Sequence, residues 1–259
     1  MIPWAVLDTA TVPGGGVLKL LRRGEEFSIK LDRTELMNSR VSGSEEALAT
    51  LACARIAERP RPRVLIGGLG MGFTLRAALT ALPADAEVVV AELVAAVIAW
   101  ARGPLAEVAG RGLDDPRVEV REVDVAAAIG AAKAGFDAIL LDVDNGPDGL
   151  SRPSNDRLYD AAGLAAAKAA LRPGGVLAVW SAAPDERFGG RLHKAGFLVE
   201  EVRRRAHGRG GARHTIWLAE KAGTAGERQP TSGSAGSGSV NADGGPAARR
   251  PRRRSLRRG

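Results

Sequence analysis

Val64-Leu65-Ile66-Gly67-Gly68-Leu69-Gly70-Met71-Gly72 decides how this chain is read: an apolar strand runs into a glycine turn, and a helix begins near Phe73. Glycines here let the backbone turn sharply and approach a ligand, with the amides of a helix N-terminus facing it. The spacing is G-x-G-x-G, and Phe73 stands where a dinucleotide fold would place its third glycine, so pyrophosphate binding is disfavoured. No G-x-x-x-x-G-K-[ST] follows, which removes a Walker-type phosphate loop. The motif alone leaves plain backbone packing open as its other explanation.

Outward from this turn, short Val/Ile/Leu runs alternate with alanine-rich stretches, the pattern of β-α-β units around a buried parallel sheet. Strands are expected near 63–67, 87–92, 117–121, 137–142 and 175–181, and helices near 72–81, 94–108, 125–134, 157–171 and 186–194. Leu198 to Arg205 and His214 to Ala219, joined across Gly208-Arg209-Gly210-Gly211, read as an antiparallel hairpin that brings the sheet to seven strands. The fold class is therefore α/β, a doubly wound, Rossmann-like seven-stranded sheet. Before it, residues 1–43 read as a small antiparallel β unit of two or three strands. A helix from Ser44, its expected cap, to about Glu58 opens the main domain, 44–220, and Pro60 and Pro62 end that helix.

Residues 221–259 hold all of the net charge of +7, and residues 1–220 carry 28 basic and 28 acidic side chains. The high isoelectric point thus says nothing about the partners of the folded part. The tail, rich in Gly, Ser and Ala and closing on Arg249-Arg250-Pro251-Arg252-Arg253-Arg254, reads as disordered. It serves either solubility or weak, salt-sensitive contact with nucleic acid or an acidic partner. With 4% aromatic residues the chain offers no stacking platform for single strands. Cys53 is the single cysteine, which allows a reducing, cytoplasmic location. His193, His207 and His214 lack ligand-like spacing, so no metal is expected. Neither a leader nor a run of about 18 apolar residues is present, so no membrane role is expected.

Four places could carry chemistry. Glu92 ends the second strand twenty residues after Gly72, where an acid can accept hydrogen bonds from both ribose hydroxyls of a nucleoside; a helix-start acid is the plain alternative. Asp124, after the third strand, could meet an adenine amino group or simply cap the next helix. After the fourth strand, Asp142-Val143-Asp144-Asn145-Gly146-Pro147 sets two carboxylates and an amide at the same cleft mouth. Such acids suit a cationic amine acceptor, which must lose a proton before it can attack, and Asp142 is the expected proton acceptor. Tyr159, the sole tyrosine, could line the acceptor pocket beside Asn145 or pack in the next helix. Trp180 and Trp217 are expected in the core or at its rim.

With these residues in place, the layout from 4 to 220 resembles the spermidine synthase family, the aminopropyltransferases that share the class I methyltransferase fold. The resemblance rests on the small N-terminal β unit, the Ser-Glu-Glu helix, Ile66-Gly67-Gly68, Glu92, Asp115-Pro116-Arg117-Val118 leading to Asp124, and the Asp142 loop. It implies cofactor contacts from Gly67, Gly68, Gly70, Gly72, Glu92 and Asp124, catalysis by Asp142 with Asp144, and substrate contacts from Asn145 and Tyr159. The implied donor is decarboxylated S-adenosylmethionine, the acceptor a small amine, and the reaction a direct displacement at the sulfonium. The sequence differs from the family pattern at Gly70, where the family has an aspartate, and at Ser44 and Glu45, where it has a tyrosine and a histidine. Gly70 favours a second reading, methyl transfer from ordinary S-adenosylmethionine. A third is a noncatalytic nucleoside-binding or interaction protein. A homodimer is one assembly the sequence leaves open.

Overall fold

A computed structural model describes residues 2–143, 146–147, 156–207 and 210–223. The expected disordered tail beyond 223 and the candidate residues Asp144 and Asn145 lie outside the described residues. The first four strands, β1 (Ala5–Thr11), β2 (Val17–Arg23), β3 (Glu26–Leu31) and β4 (Thr34–Asn38), form an antiparallel meander. Four strands replace the two or three expected. The β3–β4 turn, Asp32-Arg33, holds no glycine to announce it, because Asp32 itself adopts φ +52°.

Helix α1 (Gly43–Ala54) follows, then β5 (Arg63–Gly67), α2 (Phe73–Ala81), β6 (Glu87–Glu92), α3 (Ala95–Arg102), β7 (Val118–Glu122), α4 (Val125–Gly130) and β8 (Phe136–Leu141). The chain continues through α5 (Asp156–Tyr159), α6 (Ala161–Ala170), β9 (Leu171–Ser181), α7 (Glu186–Lys194), β10 (Phe197–His207) and β11 (Gly210–Lys221). The large sheet runs β10-β11-β9-β8-β5-β6-β7, parallel from β9 to β7, with the terminal hairpin antiparallel. Its alternating side chains feed two cores. Val64, Ile66, Val88, Val90, Ala138 and Leu140 face α1, α2, α3 and the small sheet, whereas Leu65, Val89, Ile139 and Leu141 face α4, α6 and α7. Helices thus cover both faces, which makes the sheet doubly wound.

Several boundaries moved for local reasons. Ser42, not Ser44, takes the N-cap position of α1; the Ser44 hydroxyl is buried in the first turn and occupied elsewhere. Gly103-Pro104 stops α3 well short of 108, since proline has no N–H to continue the ladder. The stretch 157–171 divides at Asp160, whose carboxylate accepts the Gly163 amide and restarts the helix as α6. No helix among the described residues is long and apolar enough to cross a membrane.

The small sheet packs onto the large domain through Val12, Leu18, Leu20, Phe27 and Ile29, all in the same core as α1 and α3. The Trp100 indole N–H on α3 donates to Asp8 of β1 at 2.7 Å. This docking closes the carboxyl ends of the parallel strands under a β roof.

Candidate active site

From β5 the chain winds outward to β6 and β7, then returns to place β8 on the other side of β5, so strand order reverses between β5 and β8. Ligands of open α/β sheets settle at the carboxyl ends of strands at such a reversal. Here β5 ends in Gly67-Gly68 and β8 in Asp142, whose amide donates to the Gly67 carbonyl at 3.0 Å. Gly68 adopts φ +88°, and a Cβ there would stand 2.4 Å from the Asp142 carbonyl oxygen, so only glycine lets the two strand ends approach this closely.

The cleft at this point is lined by Gly68, Gly70, Glu92, Asp124 and Asp142, with Glu45 reaching in from α1. These four carboxylates share it with no basic side chain among the described lining residues. Glu92 is buried; its Oε2 accepts the Leu69 amide at 2.9 Å and its Oε1 the Val94 amide at 2.8 Å. It therefore pins the glycine turn to the start of α3. Asp124 caps α4 by accepting the Ala126 amide at 2.8 Å and pairs with Arg157. Capping and ligand contact, open alternatives in the sequence, are compatible here because the residue also borders the cleft.

Asp142 lies at the cleft floor, where Thr74 Oγ1 of α2 donates to its Oδ2 at 2.5 Å. Burial pushes its carboxyl up to about 7, the negative charge of Glu45 adds to the rise, and the Thr74 hydrogen bond opposes it. A carboxyl in this range can take a proton and give it up near neutrality, the property a general base needs. The walls are apolar: Val12, Leu18, Ile29, Leu31, Leu36 and Met37 come from the small sheet, and Trp180 stands at the end of β9.

Gly70, at φ +51°, is covered by Met37, whose Sδ would be 2.7 Å from any added Cβ. The side of the cleft above the glycine turn is thus filled by a thioether. Gly67 and Gly72 do not line the cleft; a Cβ at Gly67 would meet Val125 and at Gly72 Ala109, so both serve backbone packing. Tyr159 is also placed differently from the pocket position considered in the sequence. It ends α5 and is 1% exposed in the core beneath the opposite sheet face, edge-on to Phe188, the helix packing that the sequence left open as its other reading. Trp180 is a cleft-wall residue, and Trp217 is core. Glu45 escaped notice as a site residue because a Ser-Glu-Glu start reads as ordinary first-turn acid. Its one available signal was that Ser44 and Glu45 stand where the family has a tyrosine and a histidine. Among the described residues no three His, Cys, Asp or Glu side chains are grouped as a metal site.

Comparison with known proteins agrees with this geometry. The spermine/spermidine synthase domain matches residues 44–186, more than half of the chain. The chain belongs to the spermine/spermidine synthase family. Within it, the polyamine aminopropyltransferases of Mycobacterium tuberculosis and Mycobacterium bovis are 34% identical over 166 residues, covering 63% of this chain and 30% of theirs. The match therefore spans less than a third of those relatives. Among solved structures, spermidine synthase from Thermotoga maritima superposes with a TM-score of 0.68 at 21% identity, over 84% of this chain and 73% of that one. A spermidine synthase in complex with the transition state analogue AdoDATO gives 0.67 at 21% identity, over 84% and 72%. A probable spermidine synthase from Corynebacterium glutamicum gives 0.54 at 17%, over 84% and 79%. These likenesses establish a shared fold.

Proposed function

We propose that the cleft transfers an aminopropyl group from a decarboxylated S-adenosylmethionine-type donor to a small amine. The observation that carries this reading is the convergence of Glu45, Glu92 and Asp142, with Asp124 paired to Arg157 beside them, on one cleft whose described lining holds no basic side chain. Donor and acceptor are both cationic, and such a cleft attracts them. The carboxylate of ordinary S-adenosylmethionine would meet like charge, at a cost of about 4 kcal/mol for charges roughly 4 Å apart in a partly screened site. Removing that carboxylate removes the penalty, which favours the decarboxylated donor despite Gly70. Membership of the family and the AdoDATO-bound fold relative support the same donor class.

The donor supplies a carbon already activated by sulfonium, so no covalent enzyme intermediate is required. Glu92 and Asp124 hold the nucleoside, with Gly68 leaving room for close backbone approach. Asp142 takes a proton from the acceptor ammonium, and the apolar roof excludes water. Alignment contributes most, since effective molarities for well-oriented groups reach about 10⁵ M or more, against roughly 10²–10⁴-fold for general base action. Asp144 and Asn145, which follow Asp142 in the sequence, keep the roles that sequence alone gives them, Asp144 in catalysis and Asn145 in substrate contact. A single cysteine, Cys53, excludes an internal disulfide and is compatible with a reducing, cytoplasmic location.

Incubating the full chain with decarboxylated S-adenosylmethionine and putrescine, and following methylthioadenosine and spermidine together, tests the assignment. Stoichiometric formation of both, lost in Asp142→Asn, is expected. Methyl transfer from ordinary S-adenosylmethionine with no spermidine formed would replace it.

A further inference from the structure

The transfer just proposed releases one proton per turnover. The acceptor enters as an ammonium and loses a proton to free its lone pair. That pair forms the new N–C bond as the C–S bond breaks, and the sulfonium sulfur keeps the departing electron pair. The cleft is roofed by the small sheet, so the proton needs a path out. One hydrogen-bonded chain leads from the cleft to the far side of its wall. Glu45 lines the cleft; its Oε2 lies 2.6 Å from Ser44 Oγ, and the same Ser44 Oγ lies 2.8 Å from Nδ1 of His214 on β11. Ser44 is 0% exposed and Glu45 8%, whereas His214 is half-buried and reaches solvent. His214 is not part of the cleft lining. Trp180 is, and its ring packs edge-on against the imidazole with centroids 4.8 Å apart, which sets the imidazole behind the cleft wall.

We infer that Glu45, taking the proton from Asp142 across the cleft they share, forms with Ser44 and His214 a proton relay that carries it to solvent. The inference rests on the transferase reading of the site. A hydroxyl between two groups can hold two arrangements. In one, protonated Glu45 donates to Ser44 Oγ and Ser44 donates to Nδ1 of neutral His214. In the other, every proton has moved one place along: Nδ1–H of cationic His214 donates to Ser44, and Ser44 donates to ionised Glu45. Passing from the first to the second moves one positive charge from cleft to rim with no heavy-atom rearrangement; Nε2–H of the imidazolium then releases a proton to water, and tautomer exchange of the half-buried ring with solvent returns Nδ1 to its acceptor form for the next turnover. Electrostatics set the balance: burial lowers the His214 pKa and the facing Glu45 carboxylate raises it. Arg204 is paired with His214 across β10 and β11, Arg213 precedes it on β11, and Asp142 shares the cleft with Glu45. The imidazole is therefore a transient carrier. Ser44 and His214 touch no substrate and act through Glu45, as positioning residues.

Steady-state kinetics with decarboxylated S-adenosylmethionine and putrescine test this on Ser44→Ala and His214→Gln. Both are expected to lower kcat by about tenfold or more, as loss of proton-transfer assistance does, with KM within twofold. In His214→Gln, added imidazole should restore kcat, which a merely structural role would not allow. Unchanged kcat in both variants, or a loss that appears in KM and is insensitive to imidazole, overturns the relay. Histidine 15N NMR of the full chain reads the coupling without turnover. Glu45→Gln should move the His214 titration to lower pH, and an unmoved midpoint overturns the relay as well. If the wild type transfers no aminopropyl group, the functional reading fails by itself, and the NMR titration still decides the coupling.

Discussion

Replacing Asp142 by asparagine should stabilise the free protein, and only where the carboxyl would be ionised. The group titrates at about 7 in the fold against 3.8 as its ordinary value. Between those pH values the folded state holds a proton the unfolded chain has released, so stability falls as pH rises from about 4 to about 7 and stays lowered above it. At about 1.4 kcal/mol per tenfold difference the full penalty is about 4 kcal/mol. Asp142 is partly open to the cleft, and solvent screening there reduces the figure to about 1–2 kcal/mol. Asparagine keeps an acceptor oxygen for Thr74 and carries no charge to bury. For a domain of this size the gain corresponds to about 2–8 °C in Tm. Thermal unfolding of both proteins at pH 4.5 and pH 8 measures it. The variant should gain at pH 8 and little at pH 4.5. Equal melting at pH 8, or the same gain at both, would refute the assignment of a buried, proton-retaining carboxyl.

Three other substitutions follow from the geometry. Gly68→Ala should destabilise by about 3 kcal/mol or more in urea unfolding, because its Cβ would stand 2.4 Å from the Asp142 carbonyl at φ +88°; a loss under 1 kcal/mol would mean the two strand ends separate easily. Glu92→Ala leaves the Leu69 and Val94 amides without their acceptor. It should cost about 1–3 kcal/mol and weaken methylthioadenosine binding in calorimetry; unchanged affinity would remove the ribose role. Gly70→Asp should be destabilising alone, since Met37 Sδ would be 2.7 Å from the new Cβ. Adding Met37→Ala should recover about 1 kcal/mol or more in a double-mutant cycle, and strict additivity would show that the two positions do not meet.

The parallel sheet was legible because its strands are buried on both faces and punctuated by glycine turns, whereas the reversal between β5 and β8 is seen only in the strand order of the folded sheet. The small sheet was less so: β1 is mostly exposed and β4 is short, so neither carries a strong alternating pattern. That Asp142, Glu92 and Asp124 border one cleft was legible because strand ends concentrate at one rim of such a fold. Glu45 was not, because its role depends on α1 being brought against β8 and β11, a long-range contact that local pattern does not encode. Tyr159 could not be decided between pocket and packing for the converse reason: its place after the Asp142 loop says nothing about which face of the sheet its helix covers. The apolar cover on Gly70 likewise depends on β4 returning over the glycine turn.

Calorimetric titration of the full chain with decarboxylated S-adenosylmethionine and with S-adenosylmethionine, under matched conditions, tests the central claim most directly. The acidic cleft should bind the decarboxylated form at least tenfold more tightly, a difference of about 1.4 kcal/mol. Tighter binding of the carboxylated form would contradict aminopropyl transfer and turn the account toward methyl transfer.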